Sequence, residues 1–149
     1  MADGIHTDDT CACNGSNTLV FACSGGSNVG QIANAAALEL DRRGVGRMYC
    51  LIGVSAHIGG MVDSAAGADY RIVIDGCPVA CARKATEHAG VSADRHIIVT
   101  ELGIAKNHVF EWTAEQVARV VEAAQAGAPM GRMTGDACCG GSEAGCGCH

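Results

Sequence analysis

Ten of the 149 residues are cysteine, and a thiol offers three kinds of chemistry once it loses its proton: nucleophilic attack, binding of soft metals, and reversible oxidation. The cysteines form two sets. Cys23, Cys50, Cys77 and Cys81 lie in the apolar middle of the chain, whereas Cys11, Cys13, Cys138, Cys139, Cys146 and Cys148, together with His149, lie near its ends. One free cysteine by itself packs as a small hydrophobe. Ten of them, clustered, without a secretory leader and in a chain that is 48% hydrophobic, read as metal ligands, redox thiols or persulfide carriers rather than structural bridges. Four thiolates around one ion at about 2.3 Å make a closed tetrahedral zinc site, and an iron–sulfur centre can use the same donors. Such a closed site has no position for water, so its metal is structural, sensory or in transit rather than hydrolytic.

Distant thiols meet only if the fold gathers them. From Thr18 to Ala126 short apolar runs alternate with helical patterns, which predicts an α/β chain. The expected architecture is a three-layer, Rossmann-like fold with a four-stranded parallel sheet in the order 2-1-3-4 and helices on both faces. Strands are expected at Thr18–Ala22, Arg47–Ile52, Tyr70–Ile74 and Arg95–Thr100. Between them, Val29, Ile32, Ala33, Ala36 and Leu40 have the spacing of a helix capped at Asn28 and stopped by Gly44. A weaker helix is expected from about His57 to Ala66. Pro78 suits a first helical turn, which makes Cys77 the cap of a helix ending near Gly90 and sets Cys81 one turn along its face. Thr113-Ala-Glu-Gln116 has the form of a capping box ahead of a last helix with an apolar stripe at Val117, Val120, Val121 and Ala124. In parallel α/β sheets ligands bind beyond the carboxyl ends of the strands. All four core cysteines fall there.

The residues that carry this pattern also carry a resemblance. Cys23-Ser-Gly-Gly-Ser-Asn-Val-Gly30, Cys50-Leu-Ile-Gly53 leading to Ile58-Gly-Gly60, and Asp75-Gly-Cys77 followed by Pro78-Val-Ala-Cys81 together resemble the DGC-domain proteins. These are small bacterial and archaeal proteins named for the Asp-Gly-Cys triplet and taken to bind zinc. The resemblance implies that residues 18–126 form a metal-binding α/β domain with Cys23, Cys50, Cys77 and Cys81 as its ligands, holding zinc or, as the alternative, an iron–sulfur centre. Residues 1–17, a cysteine-containing arm, and residues 127–149, a flexible tail rich in glycine and cysteine, fall outside that pattern. Their thiols and His149 are enough donors for a second metal site, and mobile thiols would suit transfer of metal or sulfur to a protein partner.

Other motifs compete for the same residues. Cys77 to Arg83 spells Cys-x5-Arg, the spacing of low-pKa cysteine phosphatases and some arsenate reductases. Against it, Pro78 removes one of the backbone donors that an oxyanion loop needs, and Arg83 and Lys84 read as a solvated helix face. A reversible disulfide or persulfide at Cys77 and Cys81, without resident metal, is the alternative function. Gly25 to Gly30 has the glycine separation of a phosphate loop, but Gln31-Ile32 stands where Lys and Ser or Thr are required. Gly53-Val-Ser-Ala-His57 misses a nucleophile elbow by its second glycine. His57 is a possible nearby ligand or proton carrier; His6, His88, His96 and His108 stand singly and read as surface or packing residues. Asp75 is placed to hydrogen-bond around the site or to satisfy backbone at the strand end. A formal net charge of −6 with only ten Lys and Arg leaves no basic stripe for nucleic acid. No apolar run approaches the length of a membrane span, and the acidic N-terminus has no signal-type core, so a cytoplasmic location is expected.

Overall fold

The computed structural model describes residues 16–129. Thr18–Ala22 (β1) is buried along its whole length, as a strand must be when helices cover both faces of a parallel sheet. It pairs in parallel with Arg47–Met48 (β2) on one side and with Tyr70–Asp75 (β3) on the other, and β3 pairs with Arg95–Ile98 (β4). The order is β2-β1-β3-β4, as the sequence predicts. Registers such as Val20 to Ile72 and Ala22 to Ile74 put alternate side chains on opposite faces.

One face is built from the two longest helices. Val20, Ala22, Ile72 and Ile74 pack against the buried stripes of Asn28–Arg42 (α1) and of Ala114–Gln125 (α5), the latter started by the Thr113–Gln116 capping box. The other face carries Leu19, Phe21 and Val73 against Val54, Ala65 and Ala82, which belong to three short helices: Leu51–Ser55 (α2), Gly59–Ala66 (α3) and Cys81–His88 (α4). A 3-10 turn, Val99–Leu102, follows β4. Among the described residues no helix is long and apolar enough to cross a membrane.

Four local expectations are corrected. The second strand ends at Met48 rather than Ile52. The Tyr49 N–H still reaches Val20 O at 2.9 Å, but the chain then turns into α2, so Cys50 caps a helix instead of ending a strand. The fourth helix begins at Cys81, not at Pro78: residues 76–79 form a turn, Ala80 takes a left-handed conformation (φ 54°), and Cys77 therefore does not share a helical face with Cys81. The fourth strand gives way to the 3-10 turn after Ile98, and the cap of α1 is Ser27, whose hydroxyl accepts from the Gly30 N–H.

Candidate functional site

The four core cysteines come from three βα units, Cys77 and Cys81 sharing the one built from β3 and α4. Cys23 follows β1 directly; its N–H donates to Ile74 O at 2.9 Å, and its half-buried side chain touches both cores. Cys50 is the N-cap of α2, with Sγ accepting from the Gly53 N–H at 3.3 Å. A side chain at Gly53 would run into the Met61 sulfur, so glycine keeps this corner open for Met61 and the Cys50 thiol. Cys81 is the first residue of α4 and is exposed. Cys77 sits in the turn after β3, half-buried, with Lys106 Nζ 3.5 Å from its sulfur.

A cavity of about 490 Å³ opens where these units meet, and Cys23, Cys50 and Cys81 all line it, together with Ala22, Met48, Leu51 and Ile52. Among the described residues no charged side chain lines it. Cys77 does not line it. Three of the four predicted thiols thus share one space, and its volume is that of a small-molecule pocket rather than of a bare ion. Among the described residues no three Cys, His, Asp or Glu side chains stand close enough together to hold a cation. The three soft sulfurs share the cavity without a competing carboxylate, but as placed they do not enclose an ion, so holding one requires the thiols to close in. Cys11, Cys13, Cys138, Cys139, Cys146, Cys148 and His149 lie outside the described residues.

The start of α4 is held from a distance. Its N-cap, Ala80, has no side chain to offer, yet the first N–H groups of a helix need acceptors. Asp75, at the end of β3 and only 1% exposed, supplies them: Oδ1 accepts from the Ala82 N–H at 2.7 Å and Oδ2 from the Arg83 N–H at 3.0 Å. Oδ2 also pairs with His96 Nε2 at 2.9 Å, and a carboxylate that only accepts requires the proton on that nitrogen. A buried carboxylate is tolerated because all three partners are donors. This role lay partly within reach of sequence reasoning, which placed Asp75 as a satisfier of backbone. Its target, the helix carrying Cys81, has no local signal.

Gly76 lets β3 come close to α1, since a Cβ there would lie 2.8 Å from Gly30 N and 2.9 Å from Val29 C. Contact with backbone on that side makes glycine necessary in the Asp-Gly-Cys triplet. Arg83 is tied by Nε to Glu87 Oε1 at 2.7 Å on the exposed face of α4. It is therefore engaged away from Cys77, and the arginine of the Cys-x5-Arg spacing does not face its cysteine.

The DGC domain model matches residues 19–124. The chain belongs to the DGC-domain family. A DGC relative is the anaerobic and virulence modulator AnvM of Pseudomonas aeruginosa, 34% identical over 102 residues that span 68% of this chain and 78% of the relative. No solved structure matches significantly. The DGC match runs from β1 to α5 and so takes in all four core cysteines, while the cysteines of the two ends lie beyond it.

Proposed function

We propose that this DGC domain holds a thiophilic metal centre at the carboxyl end of its sheet, with Cys23, Cys50 and Cys81 as principal ligands and Cys77 as the fourth. Zinc is the favoured occupant and an iron–sulfur centre the alternative. The observation that carries the reading is the shared cavity: three thiols from three separate βα units line one space that no charged side chain of the described residues enters. When bound, the metal would supply a closed thiolate centre of structural, sensory or transfer use. The protein's own contribution is to present the thiols, with the Gly53 N–H at the Cys50 sulfur and Asp75 fixing the first turn of α4. The terminal cysteines and His149 would form a separate site that hands metal or sulfur to a protein partner, in a chain acting without nucleic acid and in the cytoplasm.

Elemental analysis and an absorption spectrum of the reduced full chain, purified without oxygen, test this. One or more equivalents of zinc in a colourless protein, or iron and sulfide in a brown one, are expected. Cys→Ser at 23, 50 or 81 removes the core equivalent, and the same change at 77 removes it less completely because Cys77 stands outside the cavity. Changes at 146 or 148 leave it in place. Less than a small fraction of an equivalent of any metal in the wild-type chain would overturn the proposal.

One contact favours a second reading. Lys106 Nζ at 3.5 Å from the Cys77 sulfur gives that thiol an ammonium neighbour, the surroundings in which nucleophilic cysteines occur. On this reading Cys77, with Cys81, carries a disulfide or persulfide. Limited alkylation read by mass spectrometry should then mark Cys77 ahead of Cys50 and Cys81, although both of those are the more exposed.

A further inference from the structure

Two histidines outside the thiol cavity are brought together by the fold. His57 lies in the connection between α2 and α3, and His88 is the last residue of α4. They are 31 positions apart in the chain, yet His57 Nε2 stands 2.9 Å from His88 Nδ1, with the rings edge to face and both residues exposed. His57 has a left-handed backbone (φ 57°), which is uncommon for a side chain with a Cβ and directs its ring across to α4.

The separation of the two nitrogens has a chemical meaning. With metal–imidazole bonds of about 2.0–2.1 Å, two ligands at a right angle lie about 2.9 Å apart, and two at the tetrahedral angle about 3.3 Å apart. The observed 2.9 Å is that of a hydrogen bond between the rings, and it already brings the two nitrogens within the span of adjacent positions on a square-planar or octahedral ion. Nickel(II) and copper(II) prefer such geometries and take imidazole readily. In the hydrogen-bonded pair one ring donates to the other along the line between the nitrogens. To chelate, each ring turns so that the two lone pairs meet beside that line, and each carries its remaining proton on the other nitrogen. Exposed imidazoles have room for that turn, and water fills the remaining positions.

We infer that His57 and His88 form a two-imidazole site for a divalent ion of the nickel or copper class, separate from the thiol cavity. Loading it fastens the region beyond α2 to the end of α4. Those are the helices whose first turns present Cys50 and Cys81.

The test is a titration of Ni²⁺ into the reduced, unmodified full chain while the ring resonances of its six histidines are followed by NMR. Paramagnetic broadening of His57 and His88 should set in together, at lower Ni²⁺ than that of His96 or His108. In His57→Asn, which keeps a residue tolerant of the left-handed backbone, the midpoint for His88 should rise at least tenfold. His88→Gln should do the same to His57. If His88 broadens at the same Ni²⁺ concentration with and without His57, or the two respond at different concentrations, there is no shared site. Wild type and variants carry the same cysteines, so Ni²⁺ taken up by thiols shifts them alike, and the difference between them reports the two rings whether or not the thiol centre is real.

Discussion

The two faces of the sheet solve different problems with the same strands. On the α1/α5 side, helices of 15 and 12 residues lay continuous apolar stripes on Val20, Ala22, Ile72 and Ile74. On the other side, helices of 5, 8 and 8 residues cover Leu19, Phe21 and Val73 while leaving Ile52 75% exposed, and the cavity opens at α2 and α4, with Asn34 of α1 also on its wall. Long helices bury area and so supply stability. Short ones supply ends, and it is at helix starts that Cys50 and Cys81 are presented. The division teaches that fold stability and thiol chemistry are carried by opposite layers, joined through Cys23, which touches both cores.

That division can be broken first where the cost is greatest. Ile32 on α1 is fully buried, and Ile32→Ala should cost about 2–5 kcal/mol in chemical denaturation. The fraction that remains folded should keep wild-type alkylation rates at Cys50 and Cys81. Altered rates in the folded protein would mean that the layers are not independent. Next comes Asp75→Asn, which keeps one acceptor oxygen but turns the other toward its donors as an amide nitrogen. Losing a charge-assisted bond to the α4 backbone and that to His96 should cost about 1.5–3 kcal/mol. Unlike Ile32→Ala, it should also raise the alkylation rate of Cys81 relative to Cys50. An unchanged ratio would show that Asp75 stabilises the domain without positioning the thiol.

The same contrast governs what could be read from the sequence. The α1/α5 layer was legible because its helices are long, periodic and locally capped, as the Thr113–Gln116 box shows. The strand order followed from the βα alternation. The cysteine layer was harder. Met48-Tyr49-Cys50-Leu51-Ile52 reads as a strand throughout, because no Ser, Thr, Asp or Asn marks the start of α2 and a cysteine sulfur takes the cap. Pro78 suggested a helix start three residues early, since the acceptor that fixes α4 belongs to Asp75 on β3, and no local rule looks there. The expectation was a pocket of all four cysteines at the carboxyl end of the sheet; Cys23, Cys50 and Cys81 line one cavity, without standing close enough to enclose an ion. The exclusion of Cys77 from the cavity was not, because it follows from that later helix start. The meeting of His57 with His88 has no signal in either segment.

A smaller effect sharpens the comparison from the stable side. Thr113→Ala removes one half of the capping box of α5 and should cost about 1 kcal/mol. Alkylation of Cys81 and the metal content of the full chain should not move, since α5 lies on the opposite layer. A change in either would locate a connection through the sheet that the packing does not suggest.

The smallest expected change in stability belongs to the residues of greatest chemical interest. Cys81 is exposed and the Cys50 sulfur accepts a bond from the Gly53 N–H, so in reduced, metal-free protein Cys81→Ser should fall within about 0.5 kcal/mol of wild type. Cys50→Ser should be neutral or slightly stabilising, because a serine hydroxyl is a better helix cap than a thiol. Sulfur at position 50 is then not what the fold asks for. If both metal-free variants unfold at the denaturant midpoint of the metal-free wild type and fail to take up the core metal, the thiols serve chemistry alone. If either is destabilised by 2 kcal/mol or more, its sulfur is part of the packing, and the separation between a layer that holds the molecule together and a layer that does its chemistry fails at that residue.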